Sequence, residues 1–159
     1  MKKPLLLFLV LIAIIIQMKG DFVDANQMFK EDQYLEEKVI IENLFTTRSI
    51  LWNRVYNQEM NIDKWREELK KIVKKPLLDY DIGAFENLKK VPTDLDSVVH
   101  LEIVDIKNVV NKDDKITSIV KIKWTMQGNT CLYDEEISYS VILQKEGILW
   151  KLCDYKIEE

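Results

Sequence analysis

Apolar residues follow two different spacings along this chain, a helical one in its first half and a two-residue one in its second half. Between Glu31 and Tyr56 they recur at spacings close to the helical repeat, and no glycine or proline interrupts the run. After Asp96, β-branched residues become frequent, and apolar positions alternate with polar ones. Together these patterns predict an α+β fold, with N-terminal helices packed on an antiparallel sheet of about four strands.

Two shorter helices are predicted between the long helix and the strands. Asn61 or Asp63 can cap the first of them, and Pro76 is expected to end it. The residues that follow have too little periodicity for a firm boundary. They predict a short helix near 81–88 and a loop through Pro92.

The strand half contains alternating runs that charged or glycine-containing turns separate. A two-residue turn at 128–129 would set Trp124 opposite Tyr133 in the central hairpin, and it would place the apolar positions of both strands on one face. The runs are "VVHLEIVDIKNVV", "ITSIVKIKWTM", "EEISYSVILQ" and "ILWKLCDYKI".

The N-terminal segment resembles an export signal in its layout. Lys2 and Lys3 precede an unbroken apolar run, Leu5–Ile16, and a polar stretch follows it. This run is shorter than the roughly 20 residues of a membrane-spanning helix, so residues 1–25 are interpreted as a signal peptide cut before Asn26. An uncleaved N-terminal membrane anchor remains the alternative. No cysteine follows the run, which excludes a bacterial lipoprotein.

Residues 26–159 are expected to form one domain that is exported, and that is either secreted or held at the outer face of the cytoplasmic membrane. The chain has 23 basic and 27 acidic side chains and a net charge of −4. Proteins that bind nucleic acid concentrate positive charge instead, so nucleic acid is not expected as a partner. Membrane contact is expected only through the N-terminal segment.

The helical half followed by "YSVILQKEGILWKLCDYKI" resembles the NTF2-like superfamily, whose last hairpin often reads as an apolar strand, charged residues with glycine, and Trp-Lys-aliphatic. The resemblance covers nearly all of residues 26–159. It implies a curved sheet wrapped around the helices to form a cone. Enzymes of the superfamily use the opening as an active site, whereas other members leave it closed or use it for partners. The superfamily includes isomerases, dehydratases, transport factors and exported domains of bacterial secretion and conjugation machinery.

If the cone holds a pocket, the resemblance suggests polar residues inside it. His100 is the only histidine, and its neighbours are typical of a surface or packing residue rather than a proton shuttle. Asp105 and Asp154 lie in strands among apolar residues, where they are either pocket carboxylates or residues of the edge or convex face. The candidates for the pocket are Tyr80, His100, Asp105, Tyr139 and Asp154.

Neither a metal site nor a cofactor site is predicted. One histidine and two distant cysteines cannot supply the closely spaced ligands of structural zinc. Asp113 and Asp114 lack the alternating oxygen ligands of a calcium loop. Glycines after the N-terminal segment occur singly, so no phosphate-binding loop is present.

Positive charge recurs on the second predicted helix. Two glutamates interrupt it and offer ion pairs, which favours a solvated surface. The functional alternative is contact with an anionic membrane surface or an acidic partner. The residues of this basic patch are Arg66, Lys70, Lys71, Lys74 and Lys75.

The two cysteines, Cys131 and Cys153, allow one disulfide in an oxidising compartment. Sheet geometry opposes the bond, because a turn at "KEG" sets Cys153 opposite residue 139 or 140, and Cys131 then lies far along the neighbouring strand. A disulfide needs Cα atoms within about 7 Å, so "GNTCLYDE" would have to fold back across the sheet. The alternative is two independent small hydrophobic residues.

Two functions of different classes are compatible with these residues. The first is a non-enzymatic exported domain that binds a protein partner or itself at the bacterial cell envelope, through the outer face of the sheet. The second is a small-molecule-binding protein or enzyme that uses the cone. A filled cone favours the first, whereas a pocket of roughly a few hundred Å³ with convergent polar groups favours the second. The first is preferred, because the chain is poor in pocket chemistry.

Overall fold

A computed structural model describes residues 32–90 and 96–158. The predicted signal peptide or anchor, residues 1–25, lies outside the described residues. The helices are α1 (Leu35–Tyr56, preceded by a 3-10 turn at Asp32–Tyr34), α2 (Ile62–Ile72) and α3 (Leu77–Lys90); the strands are β1 (Ser97–Lys112), β2 (Lys115–Gln127), β3 (Leu132–Glu146) and β4 (Leu149–Ile157).

The predicted α+β class is confirmed. Within the described residues, three α-helices precede an open antiparallel sheet of four strands in the order β1-β2-β3-β4. The chain divides into two units, Met1–Leu35 and Glu36–Glu159. Apart from the first residue of α1, the helices and the sheet belong to the second unit.

The boundary residues of α2 show how local chemistry sets its ends. Asn61 is the N-cap, and its side chain accepts a hydrogen bond from the backbone N–H of Lys64 at 2.8 Å. The helix ends at Ile72, before the predicted stop at Pro76, because Val73 adopts an extended conformation and bridges to Leu152 of β4. The chain therefore leaves α2 along one edge of the sheet.

Helix α3 is longer than the predicted segment 81–88, since it runs from Leu77 to Lys90. Its first turn forms directly after Pro76, whose carbonyl oxygen accepts from the N–H of Tyr80 at 3.2 Å. Periodicity underestimated the helix because Asp81 is a charged residue on its buried face.

The β1–β2 hairpin turns at Asp113 and Asp114, within the charged stretch that separates the first two predicted strands. Both residues have positive φ, 52° and 59°. Two consecutive left-handed residues match the twist of the flanking strands, and aspartate tolerates this conformation better than most residues.

The loop between β2 and β3 contains four residues, 128–131, instead of the predicted two-residue turn. Trp124 consequently lies opposite Glu135 rather than Tyr133, so the predicted register was wrong by two residues. Because side chains alternate with a period of two, this even shift leaves the same residues facing the helices.

The β3–β4 register also differs from the prediction. The turn falls at 147–148, one residue later than the predicted two-residue turn, and Cys153 does not lie opposite 139–140. Cys153 is the extra residue of a bulge, because its two neighbours pair with Ile142 and Leu143.

The helices cover one face of the sheet, which we call the inner face. Branched aliphatic residues fill the end of this face nearest the β1–β2 hairpin, where Ile116, Leu143 and Leu152 are at most 1% exposed. We call this region the closed end. Ile41 of α1 and Trp65 and Leu69 of α2 are fully buried in the same core.

Polar side chains of α1 also attach the helix to β1. The Asn53 amide donates to the carbonyl oxygen of Val98 at 2.7 Å and accepts from its N–H at 3.3 Å. Glu42 accepts a hydrogen bond from the N–H of Ile103 at 2.9 Å. These contacts satisfy backbone groups of a strand that has a neighbouring strand on one side only.

Among the helices that the structure describes, none combines the length and the apolar character needed to cross a membrane.

Candidate functional site

A cavity of about 420 Å³ lies between the second half of α1 and the inner face of the sheet. The strands contribute the start of β1, the end of β2, the first half of β3 and Tyr155 of β4. We call this region the open end. Asp96 and Glu135 line it and are exposed, so the cavity reaches solvent, and we call these two carboxylates the rim.

Aromatic side chains form most of the cavity wall. Tyr139 contacts Tyr155 edge-on with ring centroids 5.4 Å apart, and it contacts Trp124 edge-on at 6.2 Å. Behind them, Phe45 is in ring contact with all three. Edge-to-face packing of this kind holds rings in fixed orientations, so the wall is preformed.

Trp52 extends the wall along α1. Its ring packs edge-on against Trp65 at 5.3 Å and against Phe85 at 6.0 Å. The indole N–H of Trp52 is buried without a hydrogen-bond partner among the described residues.

Arg48 and Asp81 form an ion pair beside the cavity. The Arg48 Nε donates to Oδ2 of Asp81 at 2.9 Å, and its Nη2 donates to Oδ1. The Asp81 side chain is fully buried, and that of Arg48 is 12% exposed. Burial is the largest single influence and opposes the charge on Arg48, but Asp81 and Tyr155 together outweigh it and raise the pKa of the guanidinium.

Arg48 also lies over the ring of Tyr155, with its guanidinium carbon 5.3 Å from the ring centroid. Two carboxylate bonds and one ring contact fix the position of this side chain. Its charge is largely compensated before any ligand enters.

Tyr139 keeps its proton over a wide pH range. Burial raises the pKa of its hydroxyl to about 12, and the neighbouring Tyr155 contributes in the same direction. Tyr139 is therefore a neutral hydroxyl in the cavity wall at neutral pH.

Two further polar residues of the lining, Ser49 and Asn53, form hydrogen bonds within the protein. The hydroxyl of Ser49 donates to the carbonyl oxygen of Phe45 at 2.9 Å, and Asn53 binds the backbone of Val98. On the rim, Asp96 accepts a hydrogen bond from the Tyr133 hydroxyl, which raises the pKa of Tyr133. Glu135 has no ion pair or hydrogen bond with any described residue.

The five predicted pocket residues are distributed over the molecule. Tyr139 lines the cavity. The other four do not line it: Tyr80 is 70% exposed on α3, and His100 and Asp105 are exposed on β1 opposite Thr125 and Lys121. Asp154 lies opposite Ile142, 3.9 Å from the ammonium group of Lys156.

The outer face of the sheet, which the sequence suggested for partner binding, carries cross-strand ion pairs. Lys121 lies 3.5 Å from Glu136, and Lys123 lies 3.1 Å from Asp134. Hydrogen bonds from Thr125 and Lys123 lower the pKa of Asp134. The charges of this part of the surface are therefore compensated across neighbouring strands.

Acidic neighbours compensate much of the basic patch. Arg66 pairs with Glu86 at 2.8 Å, Lys71 with Glu68 at 2.8 Å and Lys75 with Asp79 at 3.2 Å. Lys70 is exposed, and Lys74 is partly buried where its N–H bonds to Leu152.

Both cysteines are free thiols. Cys131 is exposed in the β2–β3 loop, and Cys153 is partly buried in the β4 bulge, where its thiol donates to the carbonyl oxygen of Lys75 at 3.1 Å. Cys131 precedes a straight third strand and does not fold back toward Cys153.

Sequence reasoning missed several residues of the open end. Arg48 and Asp81 were not singled out, although a lone charge within an apolar helix face is a recognisable signal for both. Trp52 and Trp124 lie on apolar stripes that predict core positions; they pack against the core but also line the cavity. Glu135 shares a strand face with Ile137 and Tyr139 by alternation whatever the register, so a lone carboxylate on an apolar face was a signal for this residue as well.

A second hollow of about 470 Å³ lies on the helical side, between the end of α1, the α1–α2 loop and α3. Its lining is mainly apolar, and Lys89 is its one charged residue among those described. Within the described part of the chain, no cluster of three or more His, Cys, Asp or Glu side chains could hold a metal ion.

Comparisons with known proteins give little beyond these observations. No family model matches the sequence, and no curated protein matches it significantly. Among solved structures, the chain is similar to the intermembrane space region of the chloroplast protein ARC6, with a TM-score of 0.47 and 9% sequence identity. The similarity covers 76% of this chain and 95% of that chain. A match at this level supports no statement about function.

Proposed function

We propose that this chain is an exported, non-catalytic domain of NTF2-like type that binds a small ligand in the open-end cavity. The observation that carries the proposal is the cavity itself, because about 420 Å³ is the size of a small-molecule site. The sequence favoured a filled interior and a protein partner. The cavity reverses that preference in favour of a ligand-binding role.

The NTF2-like part of the proposal rests on architecture and on one short motif. Three helices that cover one face of a four-stranded antiparallel sheet agree with what the resemblance implies. The opening expected of that fold corresponds to the open end.

The lining favours binding over catalysis. Arg48, Ser49 and Asn53 each have intramolecular partners that fix their positions. A general acid–base pair needs two groups that can exchange protons with a substrate near neutral pH. Tyr139, with a pKa of about 12, is poorly suited to that role.

Export rests on the N-terminal layout of Lys2, Lys3 and the run Leu5–Ile16. The test is to express the full chain in a bacterium, separate the cell fractions, and measure the intact mass of the product. A mass that begins at Asn26 supports a cleaved signal, and an uncut mass in the membrane fraction supports an anchor. A product found only in the cytoplasm contradicts export.

Ligand binding is tested with a neutral fluorescent dye such as prodan. Ile137→Trp places a larger side chain in the cavity lining and should abolish the dye signal. The matched control is Ile142→Trp on the same strand, because Ile142 lies opposite Asp154 on the other face and should leave the signal intact. Equal dye binding by both variants, or none by the unmodified chain, contradicts the proposal.

The second candidate function is protein binding, and one surface favours it. Ile148 is 89% exposed and Leu149 is 56% exposed at the turn between β3 and β4. Exposed apolar side chains of this kind are common at interaction surfaces. Sedimentation of Ile148→Ser against a Val110→Ser control tests self-association, since Val110 is also exposed but lies in the other hairpin.

A further inference from the structure

The charge around the open-end cavity is unbalanced toward the negative. Arg48, Asp96 and Glu135 are the charged side chains in its lining. Asp81 binds Arg48 through both carboxylate oxygens, so the one positive charge is compensated from behind the wall. The two carboxylates of the rim have no such cation among the described residues.

Glu135 is the less constrained member of the rim. Asp96 accepts from Tyr133, whereas Glu135 has no hydrogen bond or ion pair with a described residue. On the same strand, neighbouring Glu136 points to the other face and pairs with Lys121. Because the charge of Glu135 is not used within the protein, it is available to a cation at the mouth of the cavity.

The wall inside this rim presents aromatic rings. Trp52, Trp124, Tyr139 and Tyr155 all line the cavity. Aromatic ring faces carry partial negative charge and attract cations, and quaternary ammonium groups are the ligands most often recognised in this way. Tyr155 already binds a guanidinium with its ring, which shows the same chemistry within the protein.

We infer that the open-end cavity selects an organic cation, an amine or quaternary ammonium compound whose charged group lies among the aromatic rings with Glu135 as its counter-ion. This inference rests on the proposed ligand-binding function and specifies its ligand class. The expected ligand carries a bulky, weakly hydrated cation, because such a group fills apolar space and gives up its water easily.

The test uses three probes of similar shape with the full chain. Choline carries a trimethylammonium group, 3,3-dimethylbutan-1-ol has a neutral tert-butyl group in its place, and 3,3-dimethylbutanoate has that tert-butyl group and an anionic end. Binding is followed by tryptophan fluorescence and by calorimetry. We expect choline to bind at least about tenfold more tightly than the neutral alcohol, as a partly desolvated cation–π contact implies.

Two variants assign the preference to the site. Glu135→Gln should reduce choline affinity severalfold and leave the alcohol unchanged, whereas the matched control Glu136→Gln should change neither. Trp124→Leu should reduce the preference for choline over the alcohol, since it keeps an apolar wall and removes one ring.

The outcomes separate this inference from the function on which it rests. Equal affinity for choline and the alcohol, or tighter binding of the anion, overturns the cation preference and leaves ligand binding standing. Failure of all three probes together with the neutral dye overturns both. Loss of choline preference in Glu136→Gln as large as in Glu135→Gln places the effect outside the cavity and also overturns the inference.

Discussion

The closed and open ends of the sheet are built from the same elements, yet one is filled and the other is hollow. At the closed end, α1 contributes Ile41, and β2 and β3 contribute Ile116 and Leu143, all at most 1% exposed. At the open end, the same helix and strands contribute Trp52, Trp124 and other large aromatic residues around a cavity.

The difference shows that residue size does not decide how well a space is filled. Branched aliphatic side chains interdigitate and leave few voids. Large rings held edge-to-face, with a buried ion pair beside them, keep their shape and do not collapse into the space between them. The closed end is therefore expected to set stability and the open end to serve binding, and each prediction below tests part of that division.

The largest expected loss of stability comes from the open end, although the comparison assigns stability mainly to the closed end. Asp81→Leu removes the partner of Arg48 and leaves its charge in a largely buried place. We expect a loss of about 3 kcal/mol or more in the free energy of unfolding, measured with urea. The reason is the cost of an unpaired buried charge and not the strength of the pair.

The control for this variant is the double substitution Arg48→Met and Asp81→Leu. Removing both charges should restore most of the lost stability, since a well-packed apolar pair often equals a buried ion pair. A single variant that loses less than about 1 kcal/mol would mean that water reaches Arg48 at no cost, contrary to its 12% exposure.

Two isoleucines that face each other across β2 and β3 compare a packed position with a cavity-lining one. Ile122 is fully buried, whereas its cross-strand partner Ile137 lines the cavity and is only partly buried. Ile122→Ala should cost about 3 kcal/mol, because it creates a void in a packed region. Ile137→Ala should cost about 1 kcal/mol, because it enlarges a space that already exists.

Urea unfolding of both variants measures this difference. Equal losses would show that the cavity lining is packed as tightly as the core beside it, and the contrast between filled and hollow regions would fail. A larger loss in the free energy of unfolding for Ile137→Ala than for Ile122→Ala would mean that the cavity lining contributes more to stability than the packed core.

The sequence alone was enough to predict the parts of the fold that depend on the alternation of apolar and polar residues along the strands. The inner-face residues of β2 and β3 were predicted correctly even though their register was wrong, because a shift of two residues preserves the face. The register itself depended on the β2–β3 loop, where Gly128 and Asn129 have the sequence of a two-residue hairpin turn but the structure forms a four-residue loop.

The open end could not be predicted for a different reason. A cavity is space between side chains, so it depends on the separation of α1 from the sheet, and residue types do not determine that separation. Asp81 interrupts the apolar face of α3, which hid part of the helix from periodicity, and its partner Arg48 lies 33 residues away in the chain. Only the folded structure brings the two together.

A third prediction concerns pH at the open end. The pKa of Tyr139 is raised from 10.0 to about 12, so the folded state holds its proton where the unfolded state loses it. The stabilisation is complete below about pH 10 and is lost as the pH rises through about 12. Its size should be about 2–3 kcal/mol.

Phenolate absorbance during a titration of the folded protein checks the assignment, and unfolding at several pH values checks the energy. Tyr139→Phe should remove the titration step near pH 12 and flatten the fall in stability. Ionisation of Tyr139 near pH 10 would mean that the open end is filled with water and does not desolvate its wall.

The smallest expected effect is local and concerns the attachment of β1 to α1. Asn53→Ala removes both hydrogen bonds to the backbone of Val98, which lines the cavity. We expect a loss of about 1 kcal/mol in the free energy of unfolding. Asn43→Ala is the matched control, because Asn43 is an exposed asparagine on the same helix. In Asn53→Ala, the amide hydrogen exchange rate should rise at Val98 and stay unchanged at Ile103, whose N–H bonds independently to Glu42. If the open end moves separately from the rest of β1, the two amides respond differently, and a ligand could enter without unfolding of the closed end. Equal acceleration at both amides would instead show that β1 opens as one unit, and then ligand entry and global stability could not be separated.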